Sequence, residues 1–168
     1  MKASWLFFDM GSTIMNETPA MEKRIRDSIA GTDVTYEAFA VKMAEFRALG
    51  VREDLAAFDY FGSTERTPWP RDSEVPYPDA DRVLRTLRER GYRLGIIASQ
   101  PLGSEQRLAR FGLRDYFEVI CASAEEGVDK PDPVLIRQGY GGHDTIHHEG
   151  EIPDVTVDSL PELLEIFE

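Results

Sequence analysis

Apolar positions along the chain follow two rhythms, one of short unbroken runs and one of helical spacing. Ser4-Trp-Leu-Phe-Phe8 is a brief apolar run that stops at Asp9 and then at Gly11-Ser12-Thr13. Such a run predicts a buried parallel strand, and its polar stop marks the carboxyl end, where α/β proteins build their sites. Tyr92-Arg-Leu-Gly-Ile-Ile-Ala98 predicts a second strand, preceded by a helix on which Val83, Leu84 and Leu87 share a face and which Gly91 ends. Strand, helix and strand imply a right-handed crossover. Ser104 is a candidate cap for a helix carrying Leu108 and Phe111, and Phe117 to Cys121 predicts a third buried strand. Near the end, Val155-Thr-Val157 is strand-like, and Ser159-Leu-Pro-Glu162 has the form of a capping box opening a helix with Leu163, Leu164 and Phe167. These pieces predict an α/β fold, a Rossmann-like doubly wound parallel sheet formed by residues 1–15 and 77–168.

Residues 16–76 have a different texture and predict a helical cap inserted between the first two strands. Thr18-Pro19 opens a helix on which Met21, Ile25 and Ile29 recur every fourth residue, and Gly31 closes it. A second helix follows Thr35, with Phe39, Met43 and Phe46 on one stripe. Pro68, Pro70, Pro76 and Pro78 among charges make the stretch from Gly62 to Pro78 read as a return linker without an element of its own.

Length and charge narrow the picture. The 168 residues, 42% of them apolar, suffice for one α/β core and a small insertion. Thirty-one acidic against 19 basic residues give a formal net charge of −12, which argues against nucleic-acid or anionic-membrane partners and is more simply a solubility feature. No run approaches the roughly 18 apolar residues of a membrane span, and the opening apolar run is too short for a signal peptide. A single cysteine, Cys121, forms no internal disulfide. A cytoplasmic protein is expected.

The candidate chemistry lies in three segments: Phe8-Asp-Met-Gly-Ser-Thr13, Leu94-Gly-Ile-Ile-Ala-Ser99 and Lys130-Pro-Asp-Pro133, the last preceded by Glu125-Glu-Gly127. Taken singly, Asp9 reads equally well as a turn acid and Lys130 as a solvated lysine. Their order and spacing resemble the haloacid dehalogenase superfamily, over about residues 5–15 and 77–133. The resemblance implies Asp9 as the nucleophile, and Lys130 as the cation that holds it and offsets charge on a phosphoryl group. It also implies Thr13 and Ser99 as substrate-binding hydroxyls, and Mg²⁺ as a cofactor with Asp9 among its ligands.

The departures from that pattern shape the functional expectation. Family phosphatases carry a second aspartate two residues after the nucleophile as general acid and base, and Gly11 stands at that position here. Ala98 stands where the second motif's hydroxyl belongs, with Ser99 one place later. The fourth motif, a Gly-Asp strand end that supplies a metal ligand, has no match after Lys130. The expectation is therefore a hydrolase of a small phosphorylated or activated substrate with slow turnover, little Mg²⁺ stimulation, and only a slight gain from Gly11→Asp. The alternatives are a non-catalytic binding or regulatory module, a shortened gene product, and a metal-independent displacement at carbon by Asp9. His143, Asp144, His147, His148, Glu149 and Glu151 crowd one stretch, but flanking glycines and Pro153 favour a polar loop over a metal site. Whether a second carboxylate lies near Asp9 discriminates best, with Asp132 and Asp144 as the candidates.

Overall fold

The computed structural model describes residues 4–62, 66–126, 135–136 and 156–167. Three strands form one parallel sheet in the order β1 (Trp5–Phe8), β4 (Arg93–Ala98), β5 (Val119–Ala122). Phe8 pairs with Ile96 and Ala98 with Ala122, so the carboxyl ends of neighbouring strands open on one edge. Between β4 and β5 the chain crosses over through α5 (Ser104–Arg110), and α4 (Ala80–Glu89) leads into β4.

These strands are not buried on both faces, as the apolar runs had suggested. Leu6, Phe8, Leu94, Ile96 and Ala98 pack into one core with Val83, Leu84 and Leu87 of α4 and with Leu108. On the opposite face Phe7, Ile97 and Val119 remain 39–49% exposed among the described residues. Phe7 stacks on Trp5 at 5.4 Å between ring centroids, and the Arg93 guanidinium covers Trp5 at 3.9 Å. The described helices thus cover one side of the sheet.

The segment between β1 and α4 is mainly helical. It holds α1 (Thr18–Ile29), α2 (Tyr36–Ala48) and α3 (Glu53–Tyr60), and the last of these carried no distinct periodic signal. Thr35 caps α2 by accepting from the Ala38 amide at 3.1 Å. Met21, Ile25, Ile29, Phe39, Met43, Ala57 and Phe58 form a cluster of their own, apart from the sheet core.

The proline-rich return segment is docked, not free. It forms a 3₁₀ turn at Arg71–Ser73 and then β3 (Val75–Pro76), which pairs antiparallel with β2 (Met15–Asn16). Thr67 bonds to α1 through Ser28 and Arg24, Arg71 donates to the Leu102 carbonyl, and Arg110 pairs with Asp72. Proline leaves side-chain and carbonyl partners available, so a segment lacking periodicity is still pinned from both sides.

Further along, α6 (Ser123–Glu126) follows β5, and β6 (Leu135–Ile136) pairs in parallel with β7 (Thr156–Val157). Ser159 and the Asp158 amide both donate to Glu162 ahead of α7 (Leu163–Ile166). Ser104 does not cap α5 as expected. It is the first helical residue behind Gly103, whose φ of 91° favours glycine, and its hydroxyl donates to the Pro101 carbonyl.

Candidate active site

Asp9 is the first residue beyond β1, partly buried at the carboxyl edge of the sheet. The chain then turns sharply, because the Met10 carbonyl accepts from the amides of both Ile14 (3.0 Å) and Met15 (2.9 Å). Ser12 sits at φ 53°, a left-handed conformation that costs a non-glycine residue about 1 kcal/mol or more and clusters at functional sites. Met10 and Ile14 are fully buried, which anchors this loop, while Gly11, Ser12 and Thr13 are partly exposed on its outer side.

The second carboxylate of the site comes from Glu17. A Cβ built on Gly11 would lie 2.7 Å from both Glu17 carboxylate oxygens and 2.5 Å from Gln100 Nε2. The space that a side chain at position 11 would enter is therefore filled by the Glu17 carboxylate, lying close enough to Asp9 for their charges to interact. Glu17 is the residue before α1, yet it makes no side-chain cap there; Asn16 accepts from the Thr18 amide instead, and Glu17 turns inward. Burial pushes its carboxyl above the usual range, and the charges of Glu74 and Asp9 push the same way. Hydrogen bonds from Gln100 and Ser12 oppose the rise.

A buried polar chain supports this carboxylate. Arg107 donates to both oxygens of Glu74, at 3.1 and 3.3 Å, and to Gln100 Oε1 at 2.7 Å. A guanidinium can only donate, so Gln100 must turn its oxygen to Arg107 and its amide nitrogen toward Glu17. Trp69 donates its indole N–H to Glu74 at 2.5 Å, which ties the return segment to the same network. The Gln100 backbone is held by the Ala124 amide, which donates to its carbonyl at 3.2 Å. The buried Tyr77 hydroxyl has no hydrogen-bond partner among the described residues, and burial with the nearby Glu17 charge raises its pKa.

The sequence-based candidates are placed unevenly. Asp9 and Thr13 lie on the β1 loop, and Ser99 follows β4 on the same edge but is exposed. The residue after β4 that enters the polar cluster is Gln100. Lys130, Asp132, Asp144 and the His143–Glu151 stretch lie outside the described residues, as does most of the interval in which the fourth motif was sought. Glu17 was missed because an acid just before Thr18-Pro19 reads as helix-start chemistry. Its only sequence signal is a glycine where an acid belongs, which asks what fills the gap.

A family model for haloacid dehalogenase-like hydrolases matches residues 4–139. The chain belongs to that family. It is 30% identical over 154 residues to a glyceraldehyde 3-phosphate phosphatase from Pyrococcus abyssi, covering 79% of this chain and 65% of the relative. A phosphoglycolate phosphatase from Cereibacter sphaeroides is 39% identical over 62 residues, 36% of this chain and 28% of that protein. The chain thus spans less than two thirds of the length of these relatives. Among solved structures, one described as a HAD hydrolase from Bacillus subtilis bound to magnesium superposes with a TM-score of 0.71 at 15% identity, covering 100% of both chains. That likeness establishes the Rossmann-like fold of this HAD chain.

Proposed function

We propose that the chain is a phosphatase-type hydrolase of a small phosphorylated molecule, with Asp9 as the nucleophile. The observation that carries the reading is the position of Asp9, delivered by a parallel strand to the carboxyl edge of the sheet in a family whose relatives include phosphatases of small phosphate esters. An Asp9 oxygen attacks phosphorus, the ester oxygen departs and an acyl phosphate forms. Water then displaces Asp9 from phosphorus and releases inorganic phosphate. Thr13 and Ser99 serve as hydroxyl contacts to the substrate, with Lys130 as the balancing cation, in a soluble, cytoplasmic enzyme whose helical segment selects the substrate. Among the described residues no helix is long and apolar enough to cross a membrane.

Magnesium is bound by the Bacillus subtilis relative. Among the described residues no group of three His, Cys, Asp or Glu side chains is gathered to hold a metal, and Glu17 is already engaged by Gln100 and Ser12. These residues alone do not fit a magnesium cage, so no step is routed through the ion. Asp9 is the residue that would contribute a ligand beside the substrate's phosphoryl oxygens.

The test is phosphoenzyme formation. Incubation with an aryl phosphate should release the phenol and leave a hydroxylamine-sensitive phosphate on Asp9, seen by mass spectrometry. Asp9→Asn should abolish both signals. Equal turnover by Asp9→Asn would overturn the reading.

A further inference from the structure

Gly11 leaves a vacancy that the fold does not leave empty. Both oxygens of Glu17 lie 2.7 Å from where a Cβ at position 11 would stand, about as far as a carboxylate placed on that Cβ would reach. The Glu17 side chain arrives there from the far end of the β1 loop, six residues downstream, because the tight turn closed by the Met10 carbonyl brings the two positions together. Its partners are directional. Ser12 donates to Oε2 at 3.3 Å, and Gln100, whose amide orientation is dictated by Arg107, donates from the other side. This carboxylate has no capping duty at α1 to hold it elsewhere.

We infer that Glu17 is the general acid and base of this site, supplying from another position the carboxylate absent at position 11. The inference rests on the proposed Asp9 reading. In the first displacement an Asp9 oxygen bonds to phosphorus, the phosphorus–oxygen ester bond breaks, and the Glu17 carboxylic acid gives its proton to the departing oxygen, yielding an alcohol. In the second, the Glu17 carboxylate takes a proton from water as the water oxygen bonds to phosphorus. The bond from phosphorus to Asp9 then breaks, so that phosphate leaves with Asp9 ionised and Glu17 protonated. The surroundings suit the first role: burial and the neighbouring Glu74 and Asp9 charges hold Glu17 protonated to higher pH than an ordinary glutamate. Tyr77 and Glu74 are the other titratable groups against it, and Glu74 is itself paired with Arg107 at 3.1 Å.

Glu17→Gln keeps the size and removes the proton transfer, so leaving-group dependence is the readout. On an alkyl phosphate, whose alcohol departs poorly without a proton, kcat/KM should fall by about 10² to 10⁴. On p-nitrophenyl phosphate the first step should survive, while the phosphoenzyme on Asp9 accumulates because water is no longer activated. The wild-type pH profile should fall on the alkaline side as Glu17 loses its proton, and Glu17→Gln should lack that limb. Should Glu17→Gln fail to fold by circular dichroism, Gly11→Ala displaces the same carboxylate without deleting it and gives the same alkyl-phosphate readout. Asp9-dependent turnover that Glu17→Gln leaves intact, with its alkaline limb unchanged, would overturn the inference while sparing the proposed reaction. A wild-type protein that neither turns over nor forms a phosphoenzyme would overturn both.

Discussion

At the scale of single residues, a side chain introduced at Gly11 would enter space that the Glu17 carboxylate and Gln100 occupy. Read alone, a missing acid predicts slow turnover and a slight gain on restoring it by Gly11→Asp. In the folded chain the new Cβ would meet Gln100 Nε2 at 2.5 Å and the Glu17 oxygens at 2.7 Å, all ends of flexible side chains that can yield. The added carboxylate would push Glu17 aside and crowd a third acidic group beside Asp9 and Glu17. Gly11→Asp should therefore lower kcat/KM, by up to about 10²-fold for a displacement near 1 Å, with little change in thermal midpoint. Steady-state kinetics with an alkyl phosphate checks this, and a gain in activity would show that Glu17 does not hold the position.

At the scale of elements, the site depends on how firmly β1 and β4 are seated. Leu84 of α4 is fully buried in the core that also holds Leu6, Phe8, Leu94 and Ile96. Removing its branched end leaves a cavity beneath the strands, and Leu84→Ala should cost about 2–5 kcal/mol in urea unfolding. Phe58 of α3 belongs to the separate helical cluster. Phe58→Ala should cost a similar amount, about 3–5 kcal/mol. A Leu84→Ala cost below about 0.5 kcal/mol would mean that the core does not hold the sheet as described.

At the scale of the molecule, charge is the dominant feature, with 31 acidic and 19 basic residues. Many basic residues are already paired, as in Arg93–Glu118, Arg82–Asp79 and Arg114–Glu105. The remaining acids repel one another, and an exposed excess of one sign opposes compaction. Raising salt from about 0.01 to 0.5 M shortens the screening length from about 30 Å to a few ångströms, and the thermal midpoint should rise as a result. A midpoint that falls steadily over the same range would mean that attractive pairs outweigh the net repulsion. The exposed pairs themselves contribute little, because water and salt screen them.

Much of this protein was legible in the chain itself, and the reason is local. Strand and helix signals are carried by the spacing of neighbouring apolar residues, so Trp5–Phe8, Arg93–Ala98 and the amphipathic α4 could be read directly, along with Asp9 at a strand end. The second carboxylate could not be read, because it reaches the site through a turn set by the Met10 carbonyl and an amide oriented by Arg107, neither of which is a feature of spacing. Nor could the docking of the return segment, whose partners Leu102, Arg107 and Arg110 lie some thirty or more residues further along the chain. The main elements and the place of Asp9 at a strand end were decided by the sequence through short-range pattern. Which acid lies near Asp9 was decided only when the tertiary structure brought Glu17, Gln100 and Gly11 into one space, because hydrogen-bond direction and steric room exist only between residues already folded against each other.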